Sequence, residues 1–408
     1  MKERTGPRLH PPLARAVVGT LAQIFGEQRK ASKAIEYTLK SNRKWGSRDR
    51  AFIAEHSYEI VRWWRLLHYL NGSTHDQNKS DTLWSILGIH LRLKGYDLPS
   101  WTEFRGIANF DFTSRLKRAK EIRKVRESIP DWIDEIGLKE LGDNWDAELA
   151  ALNKPADVFL RVNTSKTNRK DLLGRLRKEE VETEEVDSVS TALRVIKRKN
   201  LFNIKPFKEG LFEVQDAGSQ MISTFLDVQP GMRVIDACAG AGGKTLHLSN
   251  LMSNKGSIIA MDTEAWKLVE LKKRAKRNGA HNIEQRHIET SKVIKRLRGK
   301  GDRLLLDVPC TGLGVLRRNP DAKWKIDPDY LDKLTKLQAD ILQRYSQMLK
   351  VGGKMVYATC SILKKENQDQ VNAFLEQHSN FKLIEEKALT PLQNGFDGFY
   401  MALLEKDS

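Results

Sequence analysis

The chain is poor in cysteine. It has three in 408 residues, Cys238, Cys310 and Cys360, and no CxxC pair. An odd, widely spaced set makes a poor disulfide framework and points to an intracellular protein. Nine histidines fall in no zinc-binding spacing, so no structural metal is expected. No apolar run approaches the length of a membrane span, and no lipidation signal or amphipathic anchor marks a membrane partner. The N-terminus, MKERTGPRLHPPLARAVV, carries charge without a following apolar block, so no signal peptide is expected. Internal repeats and low-complexity tracts are missing as well. A cytoplasmic, monomeric protein is the resulting expectation.

Acid is the scarcer charge. Lys and Arg number 70 against 53 Asp and Glu, a formal net charge of +17. Any single basic run, such as RLKRAKEIRKVR or KKRAKRN, reads most simply as a solvated helix face. The total excess instead asks for a polyanionic partner, most simply nucleic acid held partly through its phosphates. With 40% hydrophobic residues the chain has ample material for globular cores.

Residues 1–150 read as helical. LARAVVGTLAQIF places Val17, Val18, Leu21, Ile24 and Phe25 on one face. DRAFIAEHSYEIVRWWRLLHYLNG predicts one long helix stopped at Asn71 and Gly72. SDTLWSILGIHLRLKG predicts another, capped by Ser80 or Asp81 and ended at Gly95. Seven of the nine tryptophans lie in this part, where packing between helices is their simplest role. Residues 155–215 change texture: DVFLRVNTSK, TALRVIKRK and LFEVQDAG read as strands around the helix NRKDLLGRLRKE. From 216 to 408 short apolar runs (MRVIDACAG, GSIIAMD, DRLLLDVP, KMVYATC) alternate with helices. That alternation predicts an α/β fold with a mostly parallel, doubly wound sheet.

VIDACAGAGGKT runs from a strand through a glycine-rich turn into a helix. A phosphate-binding P-loop needs glycine where Cys238 stands. A dinucleotide fingerprint needs glycine where Thr245 stands. A third reading keeps Asp236 at the strand end, with close backbone approach at Gly240, Gly242 and Gly243. This arrangement suits a ligand with an amino-acid moiety and a nucleoside. Asp262, ending the next strand, could accept hydrogen bonds from both ribose hydroxyls. It would equally suit a nicotinamide cofactor, or serve only its own loop.

Two of the cysteines end apolar runs, in LLLDVPCTG and MVYATCS. Methylation at carbon-5 of cytosine needs such groups. A thiolate added to carbon-6 turns carbon-5 into a nucleophile, an acid supports ring nitrogen-3, and a base or second thiol completes release. Asp307 and Cys310 close the fourth strand and Cys360 the fifth, and neighbouring strands would bring both thiols to one substrate. The plainer alternative is two buried, inert cysteines. Lys244 and Arg317 are candidates, by charge alone, to favour the thiolate.

DACAGAGGKT, DVPCTGLGVLRRNPDAKW and YATCSILKKEN, in this order, resemble the RNA cytosine-5 methyltransferases of the RsmB/NSUN type. FLRVNTSKT, FEVQDAGSQ and DGFYMALLEK extend the likeness over about 157–406. The resemblance implies a Rossmann-like, S-adenosylmethionine-dependent catalytic domain over 216–408. It implies an RRM-like α/β module over 155–215 and a NusB-like helical RNA-binding domain over 1–150. Cys360 would attack carbon-6, Cys310 assist release, Asp307 hydrogen-bond the base, and Lys244 lie beside the centre. DNA cytosine methyltransferases use the PC-motif thiol for attack, and spacing alone does not choose between the two. The cofactor would lie against Asp236, Ala237, Cys238, Ala239, Gly240, Gly242, Gly243 and Lys244, with Asp262, Glu289 and Asp307 around it. RNA would meet Arg161 and Asn163 of the RVN element and Arg317 and Arg318.

The chain departs from that pattern twice. The usual turn CAAPGGKT here reads CAGAGGKT, losing a proline. The Asp expected after the third strand, against adenine, is absent from IEQRHIETSK, where Glu289 or a backbone group would have to replace it. The substrate implied is RNA, ribosomal before transfer RNA. The competing expectations are a catalytically inactive RNA-binding assembly factor and a nicotinamide oxidoreductase.

Overall fold

The computed structural model describes residues 9–75 and 79–407. The chain divides into two compact units. The first holds the residues up to Lys154 and, returning from far along the chain, Leu316–Asp327. The second holds Pro155–Val315 and Pro328–Ser408.

The first unit is helical. Its helix Pro11–Phe25 starts on a proline pair, where the missing N–H costs nothing, and buries Val17, Leu21 and Ile24 completely. The long helix expected after it is two, Ser47–Arg62 and Trp64–Asn71, broken at Trp63 (φ −101°, ψ 22°). The break turns Trp64 into the core, stacked on Phe25 with ring centroids 3.6 Å apart. Gly72 ends the second helix at φ 76°, as expected of a left-handed C-terminal cap. The next helix, Ser80–Leu93, begins one residue earlier than a Ser80 cap would require: Lys79 occupies the cap and no side chain closes it. Tryptophan does pack this unit, with Trp64 and Trp145 each 1% exposed.

Leu316–Asp327 is built into that helical unit by directed bonds. Arg62 donates to the Arg317 carbonyl at 2.9 Å, and Lys323 Nζ to the Arg62 carbonyl at 3.0 Å. The Trp324 indole donates to the Val61 carbonyl at 2.8 Å, and the Ala31 amide to Asp321 at 2.9 Å. Lys323 is 2% exposed, and burial pushes its ammonium down to about 7.

The second unit contains two sheets. The smaller has four antiparallel strands in the order β2-β3-β1-β4: β1 Val158–Val162, β2 Thr183–Glu185, β3 Ala192–Val195 and β4 Phe212–Val214. The helix Arg169–Lys178 packs Leu172 and Leu176 into its core. The larger sheet contains β5 Arg233–Asp236, β6 Ser257–Asp262, β7 Ile283–His287, β8 Gly301–Asp307, β9 Leu349–Thr359, β10 Phe381–Leu389 and β11 Phe399–Lys406. Their order is β10-β11-β9-β8-β5-β6-β7. The strands β5 to β9 are parallel, and β11 runs antiparallel to both its neighbours, β9 and β10. Strand order reverses between β5 and β8, and ligands of such sheets bind at the carboxyl ends beside that reversal.

Candidate active site

The apolar strand β5 delivers Asp236 to the sheet's carboxyl edge, 1% exposed. Thr245 donates to its Oδ2 at 2.6 Å, while Oδ1 has no hydrogen-bond partner among the described residues. Burial pushes this carboxyl up to about 7, with the Asp307 charge adding to it and the Thr245 bond opposing. The turn then rises through Gly240 (φ 55°) and Gly242 (φ 86°). A side chain at Gly242 would put its Cβ 2.6 Å from Leu271, so glycine is required there on two counts. The helix Gly243–Leu251 starts at once and carries Lys244.

Strand β6 ends in Asp262, 8% exposed, which accepts from the Gly240 amide at 2.9 Å and the Glu264 amide at 2.8 Å. The loop role and a ribose role are compatible, because each carboxylate oxygen has a second lone pair. Glu289 stands beyond the end of β7, its side chain 75% exposed. It meets His287 at 3.3 Å, and the other His287 ring nitrogen faces the Thr263 carbonyl at 2.9 Å. Ala237 and Ala239 are anchored through their amides to Leu305 and Met261. Burial pushes the Cys238 thiol well up, helped by Asp236, Asp307 and Asp262.

Asp307 ends β8 and meets Lys244 Nζ at 2.6 Å. Burial alone would lower the Lys244 ammonium, but the Asp307 carboxylate reverses this and holds it above its ordinary value. The aromatic face of Phe399 lies 5.8 Å from the same Nζ. Beyond Asp307 the chain turns through Pro309 to Cys310, while neighbouring β9 runs out into Cys360. The two sulfurs are 3.2 Å apart, and the Cys360 amide donates to Cys310 Sγ at 3.3 Å. Hydrogen bonding to Cys360, then burial, push the Cys310 thiol well above its ordinary range.

Three supports escaped sequence reasoning. Glu366, fully buried, accepts from the Thr311 amide at 2.8 Å and the Thr311 hydroxyl at 2.5 Å. Gln338 donates both to Glu366 at 3.0 Å and to the Pro309 carbonyl at 2.9 Å. Gly314 donates to the Cys360 carbonyl at 3.0 Å and accepts from the Gly398 amide at 2.7 Å. Glu366 lies in the quoted YATCSILKKEN stretch.

The basic residues expected at RNA are placed differently. Arg161 is 0% and Asn163 1% exposed. Asn163 donates to the carbonyls of Gly210 and Asn278 at 2.7 and 2.8 Å. Arg161 donates to Gln215 and to the Gly243 carbonyl. Both side chains are turned inward and present almost no surface to solvent, Asn163 bonded to backbone and the Arg161 Nη1 to Gln215 and Gly243. Arg317 is also buried and Arg318 half-buried, both within the first unit. Arg317 belongs to the residues that fold with the helices.

Sheet order, glycine turn and strand-end acids define a Rossmann-like methyltransferase fold. Residues 223–405 match the family described as 16S rRNA methyltransferase RsmB/F, and 129–201 its ferredoxin-like domain. The ribosomal RNA small subunit methyltransferase B of Pasteurella multocida is 33% identical over 74% of this chain and 72% of its own length. The chain belongs to the RsmB/F methyltransferase family. A probable ribosomal RNA small subunit methyltransferase B of Bacillus subtilis is 32% identical over 68% of this chain, and the match spans 66% of that relative's length. The crystal structure of PH0851 overlays with a TM-score of 0.84 at 26% identity, covering 98% of this chain and all of the other.

Proposed function

We propose that the protein transfers a methyl group from S-adenosylmethionine to carbon-5 of a cytosine in RNA, with 16S ribosomal RNA the substrate class favoured by its relatives. The observation that carries this reading is the pair of sulfurs 3.2 Å apart beside the Lys244–Asp307 ion pair. A nicotinamide oxidoreductase is disfavoured by Thr245 where the dinucleotide fingerprint needs glycine, and an inactive scaffold has no need of the thiol pair.

The cradle fits the cofactor. Gly240 and Gly242 allow close backbone approach, Asp262 retains lone pairs for a diol, and Asp236 Oδ1 is a buried acceptor with no partner among the described residues. When bound, S-adenosylmethionine supplies an electrophilic methyl group. The remaining chemistry belongs to the chain. The Cys360 sulfur adds to carbon-6 of the pyrimidine. Asp307 hydrogen-bonds the base edge, and the Lys244 ammonium, its Nζ 2.6 Å from the Asp307 carboxylate, would supply the proton for ring nitrogen-3. Charge gathered on the ring during addition is thereby neutralised, and carbon-5 becomes nucleophilic.

The contact between the two thiols supports the roles that the resemblance implies, attack by Cys360 and release by Cys310. The first cause raising Cys310 is its hydrogen bond to Cys360. Once the Cys360 sulfur is bonded to carbon-6 it is a neutral thioether, and that cause lapses. Cys310 then ionises more readily, and its thiolate can take the carbon-5 proton so that the Cys360–carbon-6 bond can break. Incubating the protein with methyl-labelled S-adenosylmethionine and RNA from small ribosomal subunits tests the reading. Label in 5-methylcytosine is the expected result, and label in another nucleoside, or none, rejects it.

A further inference from the structure

The residues expected to read RNA through the RVN element hold something else. Arg161 lies in β1 of the small sheet, yet its Nη1 donates at 2.5 Å to the carbonyl of Gly243, the first residue of the helix after the cofactor turn. The same nitrogen bonds Gln215, at the end of β4. From the other side Arg274 donates at 2.8 Å to the Ala241 carbonyl. Glu213, 3% exposed, gathers these cations: it accepts from Arg274 at 2.9 Å and from Arg277 at 2.5 Å, and its charge also favours Arg161. Two arginines thus grip the carbonyls on either side of Gly242, the residue with φ 86°.

The sequence explains why such a grip is needed. The turn AGAGG has three glycines and no proline, so its unfolded ensemble is broad and its folded shape costs more entropy to fix. Bonds from outside the turn offset that cost. Arg161 itself is an expensive residue to bury. Its Nε and Nη2 have no hydrogen-bond partner among the described residues, and an unpaired interior donor destabilises. Its favourable contribution is therefore concentrated in Nη1, at Gln215 and Gly243.

We infer that Arg161 and Arg274 are positioning residues for the cofactor, a clamp that holds the glycine turn in its binding shape, and that the small sheet acts on methyl-donor affinity through Arg161. The inference rests on the proposed cofactor. Its consequence is specific: loosening the clamp should weaken S-adenosylmethionine while leaving RNA affinity in place. An RNA-contacting role for Arg161 predicts the reverse.

The test uses the full chain and four proteins: wild type, Arg161→Met, Arg161→Lys and Arg274→Met. Calorimetry gives the S-adenosylmethionine constant, fluorescence anisotropy the affinity for a labelled 16S rRNA transcript, and steady-state kinetics KM and kcat. Losing a charge-assisted bond should raise the S-adenosylmethionine Kd and KM about tenfold in Arg161→Met and Arg274→Met. RNA affinity and kcat should stay within about twofold, which is little on the same scale. Arg161→Lys, able to reach one carbonyl, should recover part of the loss. If Arg161→Met does not fold, Arg274→Met decides, since Arg274 is partly exposed and its loss leaves the β1 contact whole. Unchanged cofactor affinity in the folded variants overturns the clamp, whatever happens to RNA. Wild type that fails to bind S-adenosylmethionine at all overturns the cofactor reading instead.

Discussion

Thr311 and Glu366 are 55 positions apart in the chain, yet both the amide and the hydroxyl of Thr311 end on the Glu366 carboxylate, at 2.8 and 2.5 Å. This fixes the residue next to Cys310 against the segment that follows Cys360. A buried carboxylate, with Gln338 as its third donor, thereby sets the spacing of two thiols it never touches.

Replacing Glu366 by Ala should strand those three donors and cost about 4 kcal/mol of stability or more, since bonds to charged groups are each worth about 1.5–3 kcal/mol. Glu366→Gln should cost less, because it keeps an acceptor in the same place. Urea denaturation measures both. If the two variants lose the same stability, charge and not geometry governs the site.

Gly314 offers a second test of loop placement. A Cβ there would lie 2.3 Å from the Gly398 carbonyl oxygen and 2.9 Å from that of Cys360. Gly314→Ala should therefore push Cys360 away and cost about 1–3 kcal/mol of overpacking. The expected kinetic signature is a lower kcat with S-adenosylmethionine affinity retained, read from single-turnover methylation and calorimetry.

Asp262→Ala removes the acceptor for the Gly240 amide and the proposed ribose contact together. S-adenosylmethionine should bind about tenfold more weakly or worse, by calorimetry. Unchanged affinity would leave Asp262 with its loop role alone.

The buried Asp236 should make stability depend on pH. Its folded-state pKa, about 7, lies above the ordinary 3.8. Between those values the folded state holds more protons than the unfolded one, so this group's contribution is favourable at low pH and is lost as pH rises from about 4 through 7. The change for this one group has a ceiling of about 4 kcal/mol. Asp236→Asn, which can still meet Thr245, should abolish it. Urea titrations of both proteins from pH 5 to pH 8 should therefore show the variant gaining on wild type. A constant difference between them contradicts the shift.

Much of the larger sheet was legible because strands β5, β6 and β8, and the MVYAT end of β9, are apolar runs that end in turns. Strand β10 was not. Between Phe381 and Leu389 its side chains are exposed, and FKLIEEKAL shows no clean alternation. The helix break at Trp63 carries no glycine or proline to announce it. Cys310, Cys360, Asp307 and Lys244 were found through chemistry and motif, and the fold brings them together. Arg161 and Asn163 were recognised as special residues but assigned to the wrong surroundings. An arginine in a strand reads as solvent-facing, and nothing local reveals that its partner Gly243 lies 82 positions away.

The central claim is the division of labour between the two sulfurs, and covalent trapping tests it most directly. Wild type, Cys310→Ser and Cys360→Ser are each incubated with S-adenosylmethionine and labelled RNA, then resolved on a denaturing gel. Cys310→Ser should retain RNA as a slow band resistant to denaturant, while Cys360→Ser should retain none and transfer no methyl. A retained band in Cys360→Ser but not in Cys310→Ser would contradict the assignment and make Cys310 the attacking thiol.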